Sequence, residues 1–274
     1  MPAGVVAEAQ PLIYQKGPLM LDWLKVIIMG VVQGITEFLP ISSTGHLIVA
    51  AALLDFNQRL DATFEIFIQI GSVVAVLAFY RTDILRQIRA VPRDTGVQRF
   101  WLAIVIACVP AVIIGFLFQD WIQSVLYSPL TVAISLIVGG AIFLLVERRP
   151  IPAHTTATTA ISPMQAIAIG VAQVIALIPG VSRSGATIIG GMLAGLDRRT
   201  AAEFSFYLAI PMLGGVTLYE LVSNLDTLSS GDLVYLLIGA AVAAVVSWIV
   251  IGWLLRYIAA HSFRSFGYYR ILAG

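Results

Sequence analysis

The hexapeptide GVVQGI that begins at Gly30 returns as GVAQVI at Gly170, and the same offset of 140 residues keeps matching. It pairs Gln33 with Gln173, Ile35 with Ile175, Ser42 with Ser182, Gly45 with Gly185, Phe64 with Phe204 and Ile70 with Ile210. A series of identities in one fixed register means two related halves. They are placed at residues 21–147 and 161–274, joined by a linker over 148–160 and preceded by an extension over 1–20. That extension has no basic stretch running into an apolar one, so it does not read as a secretory signal, and Met20 is an alternative start.

The solvent for these halves follows from composition. Of 274 residues, 59% are hydrophobic and 11% charged, against about 25% charged in soluble domains. Apolar runs near the length needed to cross a bilayer as a helix recur along the chain, and an all-α polytopic membrane protein is expected. Each half opens with an apolar helix interrupted by a turn. The first is KVIIMGVVQGITEFLP then ISSTGHLIVAAAL, the second QAIAIGVAQVIALIPG then VSRSGATIIGGML. Pro40, Pro179 and Gly180 break the helices and serines stand ready to cap the next ones, which predicts re-entrant hairpins over 22–55 and 161–196. A single kinked span is the other reading of each.

A hairpin adds no net crossing, so three spans remain per half: 62–80, 98–119 and 127–147, then 201–222, 231–257 and one beginning near Ser265. Three is odd, and the halves therefore insert with inverted topology, six spans in all. Five arginines between Arg81 and Arg99, with Arg148, Arg149, Arg198, Arg199, Arg256 and Arg264, then fall on one side, which the positive-inside rule makes cytoplasmic. The opposite loops, QDWIQSVLYS and SNLDTLSSGD, carry no Lys or Arg. The last span is cut short, since nine residues from Phe266 to Gly274 do not cross, and either a truncated C-terminus or an abnormally short final helix is expected. A net charge of +1 points to no nucleic-acid partner, and the lone Cys108 reads as a small buried hydrophobe.

Ionisable groups inside a membrane imply function, and here they sit in the hairpin turns. The first turn offers Gln33, Glu37, Ser42, Ser43, Thr44, Gly45 and His46; the second offers Gln173, Ser182, Arg183, Ser184, Gly185 and Thr187. Gln33 and Glu37 share one helix face and Ser43 and His46 another. Two half-helix N-termini converging with Arg183 between serines would bind an anion, and glycines would let backbone approach a ligand. Structural readings exist for each group: a capping Glu37, a packing His46, a snorkelling Arg183. Glu65 and Gln69 are weaker cavity candidates, and Glu203 a weaker one still. No P-loop, dinucleotide fingerprint or Cys/His metal spacing is present.

The run QGITEFLPISSTGH, Gln33 to His46, resembles the (E/Q)xxxE motif and following SSTGH of the undecaprenyl-diphosphatase family, associated with bacitracin resistance, and PGVSRSGAT, Pro179 to Thr187, resembles its PGxSRSxxT motif. The resemblance runs from about Leu21 to Arg270. It implies a metal-assisted hydrolase of the bacterial inner membrane that removes the terminal phosphate of a C55 polyprenyl diphosphate, recycling the lipid carrier of cell-wall synthesis. Glu37, Ser43, His46 and Arg183 would be catalytic. Gln33, Ser42, Thr44, Gly45, Ser182, Ser184, Gly185 and Thr187 would bind substrate. A divalent cation, Mg2+ or Ca2+, would sit at Glu37, although Gln33 in place of an acid weakens the case for two carboxylates. Ser43 is expected as nucleophile with His46 handling its proton; a water oriented by His46 is the alternative. Access from the periplasm is expected, and a homodimer is left open. The rival class is a transporter or flippase of a polyprenyl phosphate lipid, for which inverted repeats and an anion site would also serve.

Overall fold

A computed structural model describes residues 19–56, 58–148, 152–223 and 230–274. Expectations for 1–18, for Arg149 and for most of SNLDTLSSGD fall outside them. Among the described residues there are eleven α-helices: α1 (Leu19–Thr36), α2 (Ser43–Leu54), α3 (Gln58–Phe79), α4 (Arg81–Ala90), α5 (Thr95–Leu126), α6 (Pro129–Val146), α7 (Pro163–Ile175), α8 (Arg183–Leu193), α9 (Arg198–Ser223), α10 (Ser230–Ala260) and α11 (Arg264–Ala273). A 3-10 turn, Thr158–Ala160, and one isolated bridge between Thr155 and Leu196 complete the secondary structure.

Among the described residues, four helices are long and apolar enough to cross a membrane: Thr95–Leu126, Pro129–Val146, Arg198–Tyr219 and Leu233–Ala260. Phe64–Phe79 with Arg81–Ala90, bent by 68°, would make a fifth. The arginine-rich stretch read as a loop is thus helical over α4, while the presumed loop QDWIQSVLYS is mostly the last turns of α5, with Tyr127 and Ser128 making the connection. α11 has ten residues, a single short helix rather than a span. Outward faces are apolar, as for Phe116, which is 80% exposed, and such a surface fits lipid rather than water.

The short apolar helices α1 and α7 hold the two halves together. α1 packs beside α2 and α7 beside α8, each pair a hairpin, and each leading helix also lies on the long helix of the opposite half, α1 on α10 and α7 on α5. Small residues permit this. A Cβ added at Gly30 would stand 2.7 Å from the Gly239 carbonyl oxygen, and its repeat mate Gly170 would meet the Ala107 carbonyl at 2.8 Å. Lipid tails give helices no hydrophobic reason to associate, so close backbone contact supplies the attraction.

At the arginine-rich end, Glu147 caps α6 and gathers three elements. Its carboxylate accepts from Arg198 Nε (2.9 Å) at the start of α9 and from the Phe263 N–H (3.0 Å), and its carbonyl accepts from Arg264 (3.0 Å) at the start of α11. Burial alone pushes this carboxyl up, but the hydrogen bonds from Arg198 and Phe263 outweigh it and hold the group below the ordinary carboxylate value. A depressed carboxyl stabilises the fold above its unfolded pKa of about 4 and loses that contribution as pH falls through the lower folded value. Glu147→Gln is therefore expected to destabilise the detergent-solubilised protein by about 2 kcal/mol at neutral pH. Its melting temperature should also fall less on acidification than that of the wild type, as differential scanning fluorimetry across pH would report.

Candidate active site

Two turns meet between the hairpins. α1 ends at Thr36, and Pro40, which has no N–H to continue a helix, keeps the chain turning until Ser42. Ser42 takes φ of 74°, a left-handed conformation, and its Oγ accepts from the Gly45 N–H (3.4 Å) to cap α2. The second turn repeats the design. α7 ends at Ile175, Gly180 takes φ of 89°, and Ser182, with φ of 76°, caps α8 through the Gly185 N–H at 3.1 Å. A left-handed serine is strained for an L residue, and the same strain at the same repeat position marks a device rather than an accident. Each cap satisfies one early N–H and leaves others of the first turn without an intrahelical partner.

The side chains then divide the work. Arg183 Nη2 donates to Glu37 Oε1 at 3.1 Å and Nη1 to the Ser205 carbonyl at 2.9 Å, while Nε is buried with no partner. Glu37 Oε2 accepts from the Ser43 hydroxyl at 2.7 Å and from Gln33 Nε2 at 3.1 Å. Thus one carboxylate, with its side chain 5% exposed, is gripped by a cation, a hydroxyl and an amide. Glu37, Ser43 and Arg183 border a cavity of about 110 Å³ that Ser42, Thr44, Ser182, Gln69, Tyr127 and Leu213 also line.

Not every expected residue faces that cavity. Gln33 is wholly buried behind Glu37, donating also to Ser72 Oγ at 3.3 Å, with its Oε1 unpartnered. Ser184 Oγ donates to the Leu39 carbonyl at 3.0 Å, fastening the second turn to the first. Thr187 donates to Ser205 Oγ at 2.7 Å, one turn along α8 from Arg183 and outside the cavity lining. Gly45 and Gly185 contribute backbone donors to the caps. His46 turns elsewhere: Nδ1 lies 2.7 Å from the Ser42 carbonyl and Nε2 2.6 Å from the Tyr269 hydroxyl. A carbonyl only accepts, so Nδ1 carries a proton, and in the neutral ring Nε2 accepts from Tyr269. Ser43 and His46 share a half-helix as expected, but the hydroxyl points to Glu37 across the turn instead of to the imidazole. Of the weaker candidates, Gln69 reaches the cavity and Glu203 pairs with Arg199 at 2.8 Å outside it.

Four groups went unread in the sequence: Ser72, Ser205, Tyr127 and α11's Tyr269–Arg270 pair. Only the last left a signal, an arginine embedded in the weakly polar run YYRILAG. Among the described residues no three His, Cys, Asp or Glu side chains converge as a ready metal cluster. The orphaned Gln33 Oε1 is nonetheless an oxygen donor in search of a partner. A half-turn of the amide sets it beside Glu37 Oε2, and carboxylate plus amide oxygens suit a hard cation that takes its remaining ligands from phosphate. A second cavity, about 420 Å³ and wholly apolar, lies between α5 and α9, lined by Trp101, Ile104, Cys108, Val112, Ile210 and Pro211 among others.

The sequence model of one protein family, described as bacitracin resistance protein BacA, matches residues 26–274. The chain is 47% identical over 261 residues to Undecaprenyl-diphosphatase 1 of Burkholderia cenocepacia, covering 93% of this chain and 95% of that one. It is 48% identical over 257 residues to Undecaprenyl-diphosphatase of Deinococcus radiodurans, covering 93% of each. It is also 48% identical over 255 residues to the protein of that name from Albidiferax ferrireducens, covering 92% of each.

The tautomer at His46 can be read directly. Nitrogen NMR of the protein labelled at histidine is expected to show His46 protonated at Nδ1, and Tyr269→Phe should shift Nε2 alone. A ring protonated only at Nε2 would contradict the arrangement.

Proposed function

The chain belongs to the bacitracin resistance protein BacA family, and on that footing we propose that it is a membrane phosphatase converting undecaprenyl diphosphate and water to undecaprenyl phosphate and inorganic phosphate. The observation that carries the residue roles is the Glu37 carboxylate, bonded at once to the Ser43 hydroxyl (2.7 Å) and the Arg183 guanidinium (3.1 Å). A buried carboxylate on a serine hydroxyl is the pairing of a general base with a nucleophile.

In this reading the diphosphate enters the cavity with its terminal phosphoryl against Arg183 and the free N–H groups that open α2 and α8. Arg183 suits the task because its planar fork grips phosphate oxygens through two bonds. Ser43 Oγ attacks the terminal phosphorus, Glu37 takes the hydroxyl proton, and the bridging P–O bond breaks to leave undecaprenyl phosphate. Water then opens the phosphoserine, Glu37 returns the proton to Ser43 Oγ, and inorganic phosphate departs. Placing Glu37 in the role expected of His46 follows from where the hydroxyl points. His46 instead holds the Ser42 carbonyl, and with it the peptide that leads into the nucleophile. Gln33, Ser42, Thr44, Ser182 and Ser184 shape the binding turns, and Gly45, Gly185 and Thr187 keep α2 and α8 in place.

A divalent cation, Mg2+ or Ca2+, would be held by Glu37 and the turned Gln33 Oε1, and when bound it would neutralise phosphate charge that Arg183 alone leaves uncompensated. Part of the prenyl chain would lie in the apolar cavity between α5 and α9, with the rest in lipid: Ile210 lines that cavity and Leu213, one turn along α9, lines the polar one.

We also infer that the two hairpins are re-entrant and the halves inverted, in the bacterial inner membrane. Support comes from the matched serine caps, from the thirteen-residue α7 being too short to span, and from Arg198 of α9 and Arg264 of α11 lying with Glu147 at one end. With that end cytoplasmic, Tyr127 and the cavity open towards the periplasm.

Phosphate release from a polyprenyl diphosphate by purified protein tests the reading. Release should need a divalent cation, stop with EDTA, and fall by about 10³-fold or more in Ser43→Ala, Arg183→Ala and Glu37→Gln, while a rapid quench of the wild type should trap phosphoserine. Full turnover in Ser43→Ala would remove the nucleophile, and no release by folded wild type would favour a carrier of the same lipid.

A further inference from the structure

The largest wholly buried side chain among the described residues is a cation. Arg270, in α11, has 0% exposure. A guanidinium carries five N–H donors in a rigid fork, and all five end on backbone carbonyls. Nε reaches Leu136 (3.4 Å), Nη1 reaches Pro40 (3.0 Å) and Val181 (2.9 Å), and Nη2 reaches Ser135 (3.1 Å) and Gly180 (3.0 Å). Pro40 belongs to the first turn, Gly180 and Val181 to the second, Ser135 and Leu136 to α6. The seat is closely fitted, since a Cβ at Gly139 would stand 2.2 Å from Nη2.

Charge makes this more than a structural bolt. Arg183 shares its charge with Glu37, whereas Arg270 has no carboxylate within ion-pair distance among the described residues. The buried set Glu37, Arg183 and Arg270 therefore sums to one positive charge, and without Arg270 it would sum to none. Carbonyl dipoles solvate a cation without cancelling its field, and low dielectric lets that field act at short range. Gly180, whose carbonyl Arg270 holds, itself lines the cavity. Orientation adds to this. Carbonyl and N–H point opposite ways in a trans peptide, so gripping the Val181 carbonyl turns the Ser182 N–H away from the guanidinium, at the mouth of α8.

We propose that Arg270 is a positioning residue of the diphosphate site, fixing both turns through their carbonyls and supplying the net positive charge that draws the substrate's phosphates. The proposal rests on the diphosphatase reading of the site. Within that reading, Arg183 binds the reacting phosphoryl and Arg270 acts on it from behind the wall.

The test compares full-length wild type, Arg270→Lys and Arg270→Gln in detergent. It measures melting, kcat and KM for a polyprenyl diphosphate, and inhibition by inorganic pyrophosphate. Lys keeps the charge with three donors for five carbonyls. It should leave pyrophosphate inhibition within about threefold of wild type and lower kcat about tenfold or more as the turns loosen. Gln should lower kcat and weaken both KM and pyrophosphate inhibition about tenfold. Equal pyrophosphate inhibition in Lys and Gln, whether wild-type or equally weakened, would overturn the charge role. Should Gln fail to fold, Lys decides alone: lost kcat with retained inhibition supports the proposal, and inhibition lost in step with kcat overturns it. A wild type that neither releases phosphate nor responds to pyrophosphate would instead refute the diphosphatase reading.

Discussion

Breaking a helix inside an apolar slab exposes peptide groups that lipid cannot satisfy. Two helix breaks lie side by side between apolar helices here, and the architecture follows from how their orphaned groups are met. Carbonyls of both turns are closed off by protein donors, Arg270 on Pro40, Gly180 and Val181, and Ser184 on Leu39. The N–H groups opening α2 and α8 are only partly capped, by Ser42 and Ser182. Sealing the acceptors and leaving donors open fixes the sign of what the site accepts before any charged side chain is counted.

Charge then has to be handled in a medium where an unpaired ion is costly. Glu37 is tolerable because Arg183, Ser43 and Gln33 all donate to it, and Arg183 because Glu37 and the Ser205 carbonyl receive it. The pair is nonetheless unfinished. Arg183 Nε and Gln33 Oε1 are both buried without partners, one a donor and the other an acceptor. Unmet groups of opposite kind on either side of one carboxylate are what a site looks like when its ligand is meant to complete it.

Much of this was legible in the sequence because it is local or periodic. The offset of 140 residues located both hairpins, and Pro40, Gly180 and the two serines located the turns to within a residue or two. Arg270 was not legible. Its carbonyl partners lie 89 to 230 residues away, and backbone acceptors leave no mark in side-chain identity. The direction of the Ser43 hydroxyl escaped for another reason. Spacing of three places Ser43 and His46 on one helix face, but a reversal of the chain brings Glu37, six residues back, closer than helical periodicity can express. Helix α4 was read as a loop because five arginines in nineteen residues outweighed the apolar Ile84, Leu85 and Ile88 between them.

The repeat itself explains how one scaffold comes to hold both halves of a reaction. Backbone is copied: Ser42 and Ser182 share a left-handed φ, 74° and 76°, and cap their helices through Gly45 and Gly185 in the same way. Side chains are not. At matched positions Glu37 faces Leu177, Ser43 faces Arg183 and His46 faces Ala186 across the offset. Symmetry thus delivers two helix N-termini to one place, a setting that suits an anion, and divergence puts a carboxylate and a hydroxyl in one turn and a guanidinium in the other. A device that only carried an anion would gain nothing from placing a serine hydroxyl 2.7 Å from a buried carboxylate. That asymmetry, laid over a symmetric backbone, is the feature that argues for chemistry rather than carriage.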